Sequence, residues 1–101
     1  MSLHHPDTEQ LDLPTVLHAL SDPQRLHIVR TLAADPEPRP CGSFAVSISK
    51  STCTHHFRVL REAGVVEQQV HGTARLTSLR RDNLDARFPG LLDAVLESVP
   101  V

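Results

Sequence analysis

Residues 47–65 read SISKSTCTHHFRVLREAGV, and the period of their side chains decides the fold. From Lys50 to Ala63 the apolar residues Cys53, Phe57 and Leu60 recur at steps of four and three, with Val59 and Ala63 beside them. Ser51, Thr54, His55, Arg58, Arg61 and Glu62 share the opposite face at the same period. That spacing predicts an amphipathic helix. Ser49 is placed to cap it, because a serine oxygen accepts from an unpaired N–H of the first turn. Gly64 is placed to end it, because glycine tolerates the positive φ that closes many helices.

Upstream, LDLPTVLHAL sets Leu13, Val16, Leu17 and Leu20 at helical spacing behind Asp12, a candidate N-cap. In SDPQRLHIVRTLAA, Asp22 can cap and Pro23 stands at the first helical position, where its missing N–H costs nothing. Leu26, Val29 and Ala33 form one face of that second helix, flanked by Ile28 and Leu32. Pro36, Pro38 and Pro40 stop it and hold the backbone extended. CGSFAV is one short helical turn, weakened by Gly42. Downstream, VVEQQV and ARLTSL are β-prone runs joined by His71-Gly72-Thr73, a hairpin turn. RRDNLDARF forms a short helix with Asp82 as its possible cap, Pro89-Gly90 breaks it, and LLDAVLESV forms an amphipathic final helix. A short helix, a turn, a polar-faced helix and a two-stranded hairpin make a winged helix-turn-helix, mainly α with a small β wing. Residues 1–10 read as a flexible arm, and residues 11–99 as one domain with dimerising terminal helices.

The totals fit that scheme. A chain of 101 residues is one domain by length, and its 40% hydrophobic content makes a small core. The net charge of −2 conceals a pattern. Residues 1–40 carry three basic and six acidic side chains; residues 82–101 carry one and four. Between them, Lys50, Arg58, Arg61, Arg75, Arg80 and Arg81 face only Glu62 and Glu67. A basic centre between acidic flanks suggests one positive face, the footprint to look for in a nucleic-acid binder, although ordinary solvated surface gives the same totals. No apolar run is long enough to span a membrane, and the start is not a secretory signal. Cys41 and Cys53 make no disulfide framework, which suits a cytoplasmic protein with reduced thiols.

The outer face of residues 50–61 carries the chemistry. Ser, Thr and His lower helix propensity relative to long Glu and Lys, so their clustering suggests that they touch something. They can meet phosphates or base edges, and Arg58 can bind a guanine edge through two hydrogen bonds. His55 faces outward as a DNA candidate, while His56 sits at the edge of the buried face in a packing or capping role. Successive helical residues point about 100° apart, so the pair does not easily share one metal. DPQRLHIVRTL, SISKSTCTHHFRVLREAGVV and the glycine-containing hairpin resemble the ArsR/SmtB family of small bacterial winged-helix repressors over residues 12–98. The resemblance implies a homodimer with a β wing, occupying a palindromic double-stranded DNA operator and released by an inducer, here unknown. It places reading contacts on Ser49, Lys50, Ser51, Thr52, Thr54, His55 and Arg58, and a wing contact on Arg75.

Metal-sensing members of that family use ligand sets absent from this sequence. One set needs Cys-x-Cys in the first helix of the motif, where this chain has Cys41 alone; another needs histidine on the last helix, and residues 82–101 have none. No metal or cofactor is therefore expected, and Cys53 reads as a small core hydrophobe. The alternatives are a metal or thiol sensor built from Cys41 with His4 or His5, and a winged helix used only for protein contact. No set of nucleophile, base and orienting group accompanies the histidines, so an enzyme is not expected. Leu13, Val16, Leu17, Leu91, Leu92, Val95, Leu96 and Val99 exceed what one small core absorbs, and form the expected dimer seam.

Overall fold

Two aspartates start the first two helices. Asp12 Oδ2 accepts from the Thr15 N–H at 3.0 Å and from its hydroxyl at 2.7 Å, opening α1 (Leu13–Ala19). Asp22 Oδ2 accepts from the N–H groups of Gln24 and Arg25 at 2.8 and 3.1 Å, opening α2 (Pro23–Ala34), with Pro23 at its first position. A computed structural model describes residues 3–35, 37–40 and 50–98. The expected turn of helix over CGSFAV and the expected cap at Ser49 lie outside them.

At the end of the proline-rich stretch Arg39–Pro40 form a short strand, β1, while Pro36 lies outside the described residues. α3 spans Lys50–Ala63. It ends at Gly64 (φ 85°), with Gly64 N–H bonded to Arg61 O and Val65 N–H to Leu60 O, both at 3.0 Å. These are the two bonds of a Schellman closure. β2 (Val66–His71) and β3 (Ala74–Leu79) pair antiparallel, with Val66 opposite Leu79 and His71 opposite Ala74. His71, expected in the turn, thus belongs to the strand, and Gly72-Thr73 alone make the turn. Gly72 has φ 62°, as a two-residue hairpin turn with glycine first requires. β1 pairs with the other side of β3, giving the order β1-β3-β2.

α4 (Arg81–Arg87) begins two residues earlier than a cap at Asp82 would set. Its N-cap is Arg80, and Asp82 lies inside the first turn, where it complements the helix dipole without capping. Gly90 (φ 82°) separates it from α5 (Leu91–Ser98). The core joins Val16, Ala19, Ile28, Val29, Leu32, Phe57, Leu60, Val65, Val66, Leu84 and Leu92. On α2 the buried stripe is Arg25, Ile28, Val29 and Leu32. It is rotated from the expected Leu26–Val29–Ala33 face: Ile28 and Leu32, expected beside it, are fully buried with Val29, and Leu26 and Ala33 are half-buried.

Residues 3–10, expected as a flexible arm, lie against the domain. Thr8–Gln10 form a single 3-10 turn, and Leu11 behind it is 1% exposed. Arg80 donates to Pro6 O at 2.8 Å, Asn83 to Thr8 Oγ1 at 2.7 Å, and Arg87 to Leu11 O at 3.1 Å. The Gln68 N–H donates to His5 Nε2 at 3.0 Å. In the hairpin register Gln68 opposes Thr77, and its N–H points to the outer edge of the sheet. His5 therefore occupies part of an otherwise open strand edge.

Candidate nucleic-acid interface

Phe57, Leu60 and Ala63 anchor α3 in the core, with Cys53 and Val59 half-buried beside them. That anchoring turns Thr52, Thr54, His55, Arg58 and Glu62 to the outside. Arg58 Nε lies 3.6 Å from Glu62 Oε1, with both side chains more than half exposed. An exposed pair of this spacing contributes about 0.3–0.5 kcal/mol, so it gives way readily to a stronger acceptor. Lys50 and Ser51 belong to the first turn of α3. Ser49 lies outside the described residues.

Arg61, expected on the outer face, bends toward the sheet. It donates to Gln68 Oε1 at 2.8 Å, and Gln68 Nε2 donates to Thr77 Oγ1 at 3.1 Å. The two histidines diverge as expected: His55 is exposed and His56 buried, their rings 6.0 Å apart and tilted by 49°. His56 Nδ1 lies 3.1 Å from an Arg25 terminal nitrogen. Sequence reading missed Arg25 as a partner, because an arginine in an apolar stripe carries no sign of which distant residue it will meet.

At the wing, residues 69–75 are all exposed, and Arg75 stands opposite Val70. The interface thus presents the outer face of α3 and a separate, exposed wing tip. Among the described residues no cluster of three or more His, Cys, Asp or Glu side chains is arranged to hold a metal ion. Cys41 lies outside them, and His5 Nε2 is engaged by Gln68. No described helix is long and apolar enough to cross a membrane.

The expected dimer seam divides. Val16 and Leu92 are 1% and 2% exposed and belong to the chain's own core, whereas Leu13 and Leu17 are 42% and 45% exposed, one turn apart on α1. Leu91, Val95 and Leu96 are partly buried against the core, and Val99 lies outside the described residues.

The fold and the polar outer face of α3 define a winged-helix DNA-binding domain. A family model described as a helix-turn-helix domain matches residues 20–69. YceK, an uncharacterised HTH-type transcriptional regulator of Bacillus subtilis strain 168, is 35% identical over 82 residues, covering 79% of this chain and 82% of that protein. The transcriptional repressor BigR from Xylella fastidiosa superposes with a TM-score of 0.66 at 25% identity, over 88% of this chain and 87% of that one. A homodimeric winged helix-turn-helix domain from Mycobacterium bovis, a possible ArsR-family regulator, gives 0.65 at 24% identity, over 84% of this chain and 78% of that one. This chain belongs to the HTH-type transcriptional regulators, and its fold is that of solved ArsR-family winged-helix structures. It is a transcriptional regulator with a DNA-binding fold, from a family that is not enzymatic.

Proposed function

We propose that the protein is a homodimeric repressor that occupies a palindromic operator and leaves it when an inducer binds. The observation that carries this reading is the exposed row Thr52, Thr54, His55 and Arg58 on a helix whose other side is locked into the core. In the major groove that row reads base edges, with Lys50 and Ser51 at the entering end of the helix and Ser49 just before it. Arg75 on the exposed wing binds a phosphate or the minor groove. A two-fold pair of such helices calls for half-sites about one helical turn apart.

The test is selection of an operator from random DNA, followed by fluorescence anisotropy across salt concentrations. Arg75→Ala is expected to weaken all sequences about equally and to reduce the salt slope by roughly one unit. Arg58→Ala and Thr54→Ala are expected to relax preference at particular base pairs, by about 1–3 kcal/mol where a two-bond contact is lost. Equal loss of preference from all three changes would contradict this division of labour. Binding without salt dependence would favour a winged helix used for protein contact, since displaced counterions give a slope near −0.9 per neutralised phosphate.

A further inference from the structure

Arg25, 7% exposed, brings a charge into the apolar stripe of α2. Its Nε donates to Ala19 O at 2.6 Å and one terminal nitrogen to His18 O at 3.3 Å, both carbonyls at the end of α1. Its other terminal nitrogen lies 3.1 Å from His56 Nδ1 on α3. A guanidinium only donates, so Nδ1 accepts and the neutral ring carries its proton on Nε2. Nε2 in turn lies 3.8 Å from Asp22 Oδ2, the oxygen that caps α2. Burial pushes the Asp22 carboxyl up, but the N–H groups of Arg25 and Gln24, with His56 and Arg25 nearby, outweigh it and hold it below its ordinary range. One cluster ties the end of α1, the start of α2 and the middle of α3.

We propose that His56 is a positioning residue for sequence reading: its Nδ1, held by Arg25, fixes the rotation and height of α3 against α2. This rests on the reading of α3 as the helix that enters the groove. Phe57 and Leu60 bury α3, but apolar contact is non-directional and tolerates a small roll. The bond from Arg25 is directional and does not. His56 adjoins His55, so a roll about the helix axis displaces the whole row Thr52, Thr54, His55 and Arg58. Hydrogen bonds to base edges weaken steeply when misaligned, whereas attraction to phosphates persists. Loss of the anchor therefore harms discrimination more than affinity.

Three variants of the full chain test this: His56→Asn, His56→Gln and His56→Leu. An Asn oxygen takes the place of Nδ1 and keeps the acceptor for Arg25; a Gln amide reaches the place of Nε2 and does not. Anisotropy against the selected operator and a scrambled duplex gives the ratio of specific to non-specific affinity, and thermal melts report the fold. The Asn variant is expected to keep that ratio within about threefold of wild type, and the Gln and Leu variants to lose about tenfold, a size usual for remote coupling. Affinity for the scrambled duplex is expected to stay within about twofold in all three, since phosphate attraction supplies it. Should the Leu variant fail to fold, the Asn and Gln pair still decides. Equal ratios for Asn and Gln overturn the proposal, as does a Gln variant that fails to fold while Asn folds, because His56 would then be structural only. A wild type with no sequence preference would instead sink the reading of α3 itself.

Discussion

Gly64 and Gly72 both hold positive φ, 85° and 62°, but their surroundings differ. A methyl group added at Gly64 would run into the Leu11 side chain and crowd Pro6; one added at Gly72 would meet nothing within 4 Å. At Gly72 only the backbone resists, so Gly72→Ala is expected to cost about 1–3 kcal/mol. Gly64→Ala bears that strain and an overpacked contact of about 1–3 kcal/mol besides. Urea unfolding at neutral pH should therefore place Gly64→Ala roughly 1–3 kcal/mol below Gly72→Ala, the difference being the overpacked contact. Equal stabilities would mean that Leu11 moves aside freely, and that the arm is only loosely seated on the end of α3. The comparison separates a glycine required by its conformation from one required also by its neighbours.

The docked arm is the element whose behaviour pH should expose. Burial lowers the affinity of His5 for a proton; Glu67 opposes this, while Arg80 and Arg61 add to it. A histidine whose folded value is depressed is protonated more readily once released. Its contribution to docking is complete well above its ordinary value of 6.5 and shrinks as pH falls below that value. Protonation also removes the lone pair that accepts from Gln68 N–H. Hydrogen-exchange protection of the Gln68 amide, corrected for intrinsic rate, is expected to fall between pH 7 and pH 5, and to be low throughout in His5→Ala. Unchanged protection in that variant would show that the edge is shielded by other means. This arm also shows where sequence reading stops. α1, α2, α3 and the hairpin were legible because caps, glycines and apolar period act within a few residues. The docking of His5 on β2, and of Arg61 on Gln68, joins segments by single side-chain bonds that leave no periodic trace. The outer row of α3 was legible for the same local reason, being the complement of the buried stripe. His56 was legible as an inward residue, but its partner Arg25, 31 positions away, was not.

For the whole molecule the decisive question is what covers α1. Leu13 and Leu17 lie one turn apart and are 42% and 45% exposed, on a helix whose Val16 is already buried in the core. Full burial of a leucine side chain contributes about 1.5–3 kcal/mol, and both are already more than half buried, so covering the pair adds about 1–3 kcal/mol per chain. A two-fold partner would bury the pair twice over and, in the proposed repressor, would set the spacing of the two reading helices. Leu17→Asp is the variant that separates this seam from the core. Residue 17 is exposed within one chain, so the carboxylate stays hydrated in a monomer; in the seam it would be buried unpaired, at a cost of several kcal/mol. Sedimentation is expected to show the mass of two chains for wild type and of one for Leu17→Asp, with unchanged far-UV circular dichroism. Operator affinity should fall with the dimer, since a single reading helix engages one half-site. Leu92→Asp, at a position 2% exposed, is expected to unfold the chain and serves as the contrast. A Leu17→Asp protein that remains dimeric would move the seam away from this face of α1 and onto Leu91, Val95 and Leu96 of α5.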